Sequence, residues 1–317
     1  MGIFGKKRSS GKEPAQEEGP DPYLTVFSAS EANDFRALTR EVFAEMGFEV
    51  QMHPDHAVDS EGRKYGFWNI AALCSGLPRA DWRPAITGHL KNVLAGFDQD
   101  PFAALSPEDA AKQTFTRLYD ESAFPSLEGY PHREFAPGIV ELLALDLPES
   151  VAMFDHQKAQ HFGGWEALRN QGIANLQGLD VERLQTIPAH GATFSCLSGN
   201  SFYTGSRAVL LPGLATQVTG KRVHEDLGWL LCVPNRHQVA WHIIEDASIV
   251  GAVQGMAGFG IEAYSSVPGP VSPHVYWSNG SGYEQLTHRK DDGTLVVRVS
   301  PNFQRVIEAV TAATPGS

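Results

Sequence analysis

Apolar residues recur at helical spacing in several stretches of the chain. A helix is expected over 29–46, because Ser28 and Glu31 form a capping-box pattern and Gly47 follows the last apolar position. The same periodicity predicts further helices at 81–97, 106–119, 156–177, 212–219 and 247–260, and a last one that opens at Pro301. The chain therefore has helices in both halves.

Short apolar runs between these helices predict strands. The clearest are LGWLLCV (227–233) and VAWHII (239–244), which flank the turn residues 234–237 and are apolar on both faces, as in central strands. Other strands are expected at 48–53, 56–60, 64–72, 134–145, 149–154, 182–187, 192–198, 202–208, 273–278, 283–288 and 294–299. Hairpins dominate, so the fold class is predicted to be α+β, with packed helices and mainly antiparallel sheets.

Composition divides the chain into a tail and a folded part. Residues 1–22 are polar and rich in Gly, Pro, Ser and Glu, which is typical of a disordered tail. The rest of the 317 residues can bury one large core or two modest ones. Because helices and strands alternate in a similar order twice, we expect an N-terminal α+β half at 23–155 and a C-terminal α+β half at 156–312, without a residue-level repeat.

Charge and cysteine usage narrow the possible partners. The formal net charge is −12, which argues against nucleic acid as a partner. No stretch approaches 18 consecutive apolar residues, so no transmembrane segment is predicted, and the first residues lack the apolar core of a secretory signal. The three cysteines lie far apart in apolar runs and are expected to be buried thiols. These features predict a soluble protein of the cytoplasm.

Motifs for nucleotides, nucleophiles and metals are absent from the sequence. The chain contains no G-x-x-x-x-G-K-[ST], no G-x-G-x-x-G, no G-x-S-x-G, no H-E-x-x-H and no C-x-x-C. His53-Pro54-Asp55-His56 with Asp59 forms a compact group that could ligate a metal, but an exposed hairpin turn explains it better. The glycines within 251–260 indicate close packing of a helix against a sheet. No cofactor and no metal site is therefore predicted.

The polar turn Asn235-Arg236-His237 is the most informative group. It joins two strands with buried patterns, so its side chains should emerge at one end of a sheet. Arg236 can offer a planar fork to a carboxylate or phosphate, His237 can exchange a proton, and Arg207 is a second cation that could converge on them. The simpler alternative is that Arg236 pairs with an acidic residue, such as Asp246, and holds the hairpin together.

The same region carries a family resemblance. The features are Trp165, Ala174-Asn175-Leu176, Ser206, the apolar run Ala208 to Leu211, and Leu230-Leu231-Cys232-Val233-Pro234-Asn235-Arg236. Over about 165–300 the chain resembles the YtpQ-like family, bacterial proteins of unknown function, which often have an acidic residue where this chain has His237. The element order of the N-terminal half is similar to that of type III secretion chaperones, which are partner-binding scaffolds. Neither resemblance implies a reaction.

Two function hypotheses follow from these observations. The first is a non-catalytic module that binds an unidentified protein or peptide, since strong catalytic motifs are missing and many short strands offer edges. The second is a hydrolase or transferase that acts on an anionic substrate around Arg236 and His237. An enzyme should place these two side chains in a partly buried concave site, whereas a binding module should offer an open strand edge or an apolar patch.

Overall fold

Helices pack against several antiparallel sheets, which confirms the predicted α+β class. The structure is a computed structural model that describes residues 19–98, 100–103, 105–147, 151–224, 226–267, 269–290 and 295–312. In these ranges no helix is long and apolar enough to cross a membrane. Cys74, Cys196 and Cys232 are buried free thiols, as expected, and burial raises the pKa of Cys74 to about 11.

The first part of the chain combines a small sheet with helices. Strands β1 (Val50–Met52), β2 (His56–Asp59) and β3 (Lys64–Gly66) pair antiparallel in that order, and the helices are α1 (Ala29–Glu45), α2 (Trp68–Ser75) and α3 (Trp82–Asp98). Ser28 and Glu31 form the predicted capping box. The strand expected at 64–72 stops at Gly66, and the helix α2 begins at Trp68. Residues 71–73 are good helix formers, and the helical conformation buries Ile70 against α1 and α3.

Residues 19–22 belong to the folded part, against the expected tail of 1–22. Asp21 is buried, and its carboxylate accepts hydrogen bonds from Arg36 at 2.8 Å and from the Leu24 amide at 2.8 Å. Burial opposes ionisation here, but the hydrogen bond from Arg36 and those from the backbone hold the pKa of Asp21 below its usual value. The remainder of the expected tail, residues 1–18, lies outside the described residues.

A second sheet lies in the middle of the chain. It contains β4 (Thr114–Asp120), β5 (His132–Ala136), β6 (Ile139–Asp146) and β7 (Val151–Met153), with β6 between β4 on one side and β5 and β7 on the other. The neighbouring helices are α4 (Pro107–Gln113), α5 (His156–His161) and α6 (Trp165–Gln177). The helix expected over 106–119 is wrong beyond Gln113, because the β-branched and aromatic run TFTRLY pairs with β6.

The largest sheet has six described strands, all antiparallel to their neighbours. They are β8 (Arg183–Ala189), β9 (Ala192–Ser198), β10 (Trp229–Asn235), β11 (Gln238–Ile243), β12 (Val275–Ser278) and β13 (Glu284–Gln285), in the order β13-β12-β10-β11-β9-β8. The chain also forms α7 (Gly213–Thr219), α8 (Ile249–Ser266), the pair β14 (Thr287–Arg289) and β15 (Leu295–Val297), and α9 (Pro301–Ala312). The hairpin of β10 and β11 is central, as predicted.

Close packing of α8 against this sheet requires glycine at three positions. A Cβ atom would lie 2.3 Å from the His190 carbonyl oxygen at Gly251, 2.3 Å from the Ala189 Cβ at Gly255 and 2.6 Å from the Pro273 carbonyl oxygen at Gly260. The packing role expected for the glycines within 251–260 thus holds at these three positions, but not at Gly258, where a Cβ atom would meet nothing within 4 Å.

The strand expected at 202–208 is wrong. Residues 202–204 form a turn, and a short 3₁₀ helix spans Gly205–Leu210. Both sides of β9 are already occupied, by β8 and by β11, so the following segment has no place in the sheet. It packs instead across β4 and the β10–β11 turn, where the Ser206 hydroxyl accepts a hydrogen bond from the Leu118 amide at 3.0 Å. The sheet of β4 thereby meets the large sheet.

Apolar contacts also cross the predicted boundary at 155/156. Leu118 and Ile139 belong to the same buried cluster as Trp241 and Tyr276. Gly172 of α6 lies against β4, where a Cβ atom would be 2.5 Å from the Thr116 nitrogen. The division into two halves stays a prediction.

Candidate functional site

The turn between β10 and β11 is held by the side chain of Asn235. This fully buried amide donates hydrogen bonds to Gln238 Oε1 at 2.8 Å and to the Ala263 carbonyl at 3.0 Å, and its oxygen accepts one from the His237 amide at 2.9 Å. These three hydrogen bonds are most of those that the side-chain amide of a buried asparagine can form. Among the predicted site residues, Asn235 is thus a structural support that fixes the positions of Arg236 and His237.

Backbone contacts dock this turn against two other segments. The Arg236 amide donates to the Gly269 carbonyl at 2.8 Å, and the Arg236 carbonyl accepts from the Gly205 amide at 2.8 Å. At Gly205 a Cβ atom would lie 2.4 Å from the Asn235 carbonyl oxygen, so only glycine permits the approach. The contact brings the neighbouring aromatic residues, Phe202 and Tyr203, beside the turn.

The Arg236 side chain is largely buried between the turn and an aromatic ring. Its guanidinium carbon lies 4.2 Å from the centre of the Phe202 ring, and its Nε donates a hydrogen bond to His237 Nε2 at 2.9 Å. Burial, together with the positive charge of Arg117, lowers the pKa of Arg236 to about 10, although Tyr119 opposes the change. Arg236 is therefore a largely desolvated cation that interacts with a second cation, Arg117.

His237 is neutral and has both ring nitrogens engaged. Because Nε2 accepts from Arg236, the proton belongs on Nδ1, which donates to the Gly199 carbonyl at 3.2 Å. Burial lowers the pKa of His237, and the charge of Arg236 lowers it as well. His237 thus orients Arg236, and its Nε2 lone pair is not free to accept a proton in this arrangement.

Arg117 on β4 is the second cation of the site, and the sequence analysis missed it. Its residue surface is 8% exposed, and its Nε is buried without a hydrogen-bond partner among the described residues. The guanidinium carbon lies 4.7 Å from the centre of the Tyr119 ring and 5.7 Å from that of Tyr203. The alternation of aromatic and β-branched residues in 114–119 was the available signal, since it indicates a strand with Arg117 on it.

Aromatic rings form the walls around the two guanidinium groups. Tyr203 stacks on Phe115 with ring centres 4.2 Å apart, and its hydroxyl donates to Asp146 Oδ1 at 3.0 Å. Burial raises the pKa of Tyr119, whereas the positive charges of Arg117 and Arg236 both oppose that rise. The hydroxyl of Tyr119 therefore interacts electrostatically with both cations. We call Arg117 and Arg236, with Tyr119, Phe202 and Tyr203, the arginine site.

In the described ranges, neither guanidinium of the arginine site forms an ion pair with a carboxylate. The expected pairing of Arg236 with Asp246 is wrong: Asp246 accepts a hydrogen bond from the Ser248 amide at 2.9 Å, next to the start of α8. The structure therefore places two buried or largely buried positive charges beside adjacent aromatic residues, and neither has a carboxylate among its described ion-pair partners.

Arg207 does not join the site. It lies in the 3₁₀ helix and is 2% exposed; one terminal nitrogen donates to the Asp180 carbonyl at 3.0 Å. Its Nε has no hydrogen-bond partner among the described residues, but the negative charge of Asp180 partly offsets the effect of burial on its pKa. The predicted convergence of Arg207 on Arg236 assumed a strand at 202–208, which the chain does not form.

Two clefts flank the loop that carries the aromatic walls. One, of about 470 Å³, is lined by His237, Gly199 and Asn200 together with Glu182 and Arg183. The other, of about 480 Å³, is lined by Asn200, Ser201, Phe202, Tyr203, Asp146, Leu147 and Gln113. The second cleft shares Phe202, which contacts Arg236, and Tyr203, which contacts Arg117, but neither arginine is among the residues that line it.

Comparison with known proteins gives no relative for this arrangement. No family model, no curated protein and no solved structure matches the chain. The resemblance to the YtpQ-like family over about 165–300 stays a prediction, and so does the likeness of the N-terminal element order to type III secretion chaperones.

Replacing Arg236 should stabilise the ligand-free protein. Arg236→Met keeps the apolar stem against Phe202 and Gly269 but removes the charge beside Arg117. We expect the free energy of unfolding to rise by about 1 kcal/mol, as at other functional positions that trade stability for charge. Urea unfolding measures it, with Arg298→Met, at an exposed arginine, as the control. A loss above 1 kcal/mol would mean that Arg236 is a structural clamp.

Proposed function

We propose that this protein is a non-catalytic binding module whose ligand presents an anionic group to Arg117 and Arg236. The observation that carries the proposal is that the buried Arg117 and the largely buried Arg236 have no carboxylate partner in the described part of the chain. Removing an ion from water costs several kcal/mol unless an opposite charge compensates. An anionic group on a ligand would supply that compensation.

The arrangement of the hydrogen-bond donors supports recognition of an oxyanion. Arginine presents its N–H groups in a planar fork that matches the oxygens of a carboxylate or phosphate. The Nε of Arg236 is bonded to His237, whereas its terminal nitrogens form no hydrogen bond with the described residues. The stacking of each guanidinium on an aromatic ring restricts its orientation before any ligand arrives.

The state of His237 favours binding over catalysis. A general base needs a free lone pair near the reacting proton, and Nε2 of His237 is occupied by the Nε–H of Arg236. The site therefore fits a binding module, and the peptide, protein or small molecule that it binds must carry an anion at the point of contact.

A titration with simple anions tests the proposal. Sodium phosphate or sodium sulfate, compared with sodium chloride at equal ionic strength, should raise the melting temperature in a saturable manner. The double variant Arg117→Met/Arg236→Met should lose the saturable part, whereas Arg298→Met should retain it. If the double variant responds as the parent protein does, the anions act elsewhere and the proposal is wrong.

A further inference from the structure

We infer that the outer edge of β8 binds an extended peptide segment as a further strand of the large sheet. The peptide places β-branched side chains over an adjacent cleft and an acidic residue opposite Arg183. This surface shares no residue with the arginine site, so it is a second binding surface beyond the proposed function. Three features carry it: the register of β8, the cleft on one face of the strand, and the charge of Arg183.

The strand β8 lies at one end of the six-stranded order, and its outer side is unpaired among the described residues. Residues 183–186 are all exposed, so no described element covers this part of the edge. The other described edge strands are short (β1, β3, β7, β13, β14, β15), largely buried (β4) or interrupted by a register shift (β5). A long open edge is the surface to which an extended peptide adds by backbone hydrogen bonds.

The register identifies the backbone groups that point outward from β8. The turn His190-Gly191, in which both residues have positive φ (50° and 77°), joins β8 to β9. The residues that flank a two-residue turn exchange both backbone hydrogen bonds, and bonded and outward positions alternate from there. Counted back from Ala189, the residues that direct both their N–H and their C=O outward are Leu184 and Thr186.

Two observations agree with this assignment. Pro188 falls at the next outward position, where the missing N–H breaks no hydrogen bond to β9, as is usual for proline in an edge strand. Directly after β9, the Gly199 amide donates to the His237 carbonyl at 3.1 Å, so odd-numbered residues face β11 and even-numbered residues face β8. Pro188 also limits the pairing to the part of β8 that precedes it, so the bound strand is short.

A cleft of about 300 Å³ lies on one face of β8. Its lining includes Leu184, Thr186, Ser195, Val218, Thr219 and Trp241. Thr186 is opposite Ser195, and Ser195 is opposite Trp241, so these three side chains share one face of the sheet. Peptide residues that pair with Leu184 and Thr186 have their side chains on the same face. The walls combine apolar surface with hydroxyl groups, which suits valine, isoleucine or threonine.

The charge of Arg183 distinguishes a separate peptide from a second copy of this chain. Arg183 is exposed and forms no ion pair with the described residues. Opposite charges that face each other across two strands stabilise the pair. The sequence of β8, RLQTIPA, contains no acidic residue, so β8 of a second copy would leave Arg183 without an opposite charge. A peptide with Asp or Glu at the facing position supplies that charge.

A designed peptide and its N-methylated forms test the pairing. The probe is fluorescein-labelled Thr-Val-Thr-Val-Glu-Thr amide, which in an antiparallel arrangement places its two valines opposite Thr186 and Leu184 and its glutamate opposite Arg183. Fluorescence anisotropy should show saturable binding. N-methylation of either valine, whose N–H points at β8, should weaken binding by about 10-fold or more, whereas N-methylation of the threonine between them should change it by less than about 3-fold. Absence of binding, or equal effects of the three N-methyl groups, would overturn the inference.

Variants of the protein supply the matching evidence. Thr186→Pro removes one outward N–H, as Pro188 already does, and should weaken binding by about 10-fold or more while urea unfolding stays close to that of the parent protein. Arg183→Met should weaken binding of the probe by about 3-fold but leave a probe with glutamine in place of glutamate unaffected. Arg298→Met, at an exposed arginine, is the control. If Thr186→Pro is unstable, the Arg183→Met comparison decides, and an equal loss for both probes would overturn the inference.

Two further measurements separate this surface from the alternatives. The double variant Arg117→Met/Arg236→Met should bind the probe as the parent protein does, so failure at the arginine site and failure at β8 are distinguishable. Sedimentation velocity should give the same molecular mass for the parent protein and for Thr186→Pro. A parent dimer that Thr186→Pro converts to a monomer would mean that a second copy covers β8, and the inference would be wrong.

Discussion

The variant Gly205→Ala should lose about 2–3 kcal/mol of unfolding free energy and most of its affinity for phosphate. The added Cβ would lie 2.4 Å from the Asn235 carbonyl oxygen and 3.1 Å from that of Gln238. Both are backbone atoms of a central hairpin, so they cannot move aside at low cost. The 3₁₀ helix would have to withdraw from the turn, and Phe202 and Tyr203 would leave the two guanidinium groups.

A second alanine substitution provides the matched control. Gly258 lies in the middle of α8, where a Cβ atom would meet nothing within 4 Å, so Gly258→Ala should raise stability by up to about 1 kcal/mol through helix propensity. Urea unfolding and phosphate titration are measured on both variants. If Gly205→Ala kept the parent's stability and affinity, the close approach of the 3₁₀ helix to the turn would not be what organises the site.

The sequence predicted the centre of the large sheet but not the segments that complete the site. The arms of the hairpin at β10 and β11 are apolar on both faces, and only a covered central position accommodates that pattern. Arg236 and His237 could therefore be assigned to one end of a sheet. Which residues would meet them there depends on contacts between elements far apart in sequence, and no periodicity encodes such contacts.

Arg117 illustrates why the second cation escaped prediction. Ser106 and Pro107 mark a true helix start, and the sequence contains no Gly or Pro between Glu108 and the predicted helix end at Tyr119. The helix ends at Gln113 because β6 provides seven paired positions for Thr114–Asp120, which is a tertiary effect. On a helix, Arg117 would have been one of several surface charges; on a strand beside the 3₁₀ helix it is buried.

Glu141 on β6 is a buried carboxylate of the same sheet that pairs with two arginines outside the site. It is fully buried, and it accepts hydrogen bonds from Arg133 at 2.7 Å and from Arg169 at 2.6 Å. It lies opposite Leu118 in the register of β4 and β6, one residue from Arg117. Arg169 thus forms an ion pair with a buried carboxylate, whereas Arg117 forms none with the described residues.

The variant Glu141→Ala should therefore lose about 3–5 kcal/mol of unfolding free energy, since it leaves the largely buried Arg169 without its partner. The control is Glu245→Ala, which breaks the exposed ion pair between Glu245 and Lys221 and should cost less than about 1 kcal/mol. Urea unfolding at pH 7 measures both. The comparison also tests the premise of the arginine site. If Glu141→Ala cost no more than Glu245→Ala, an uncompensated buried guanidinium would be inexpensive in this fold, and the lack of a carboxylate at Arg117 and Arg236 would no longer require an anionic ligand.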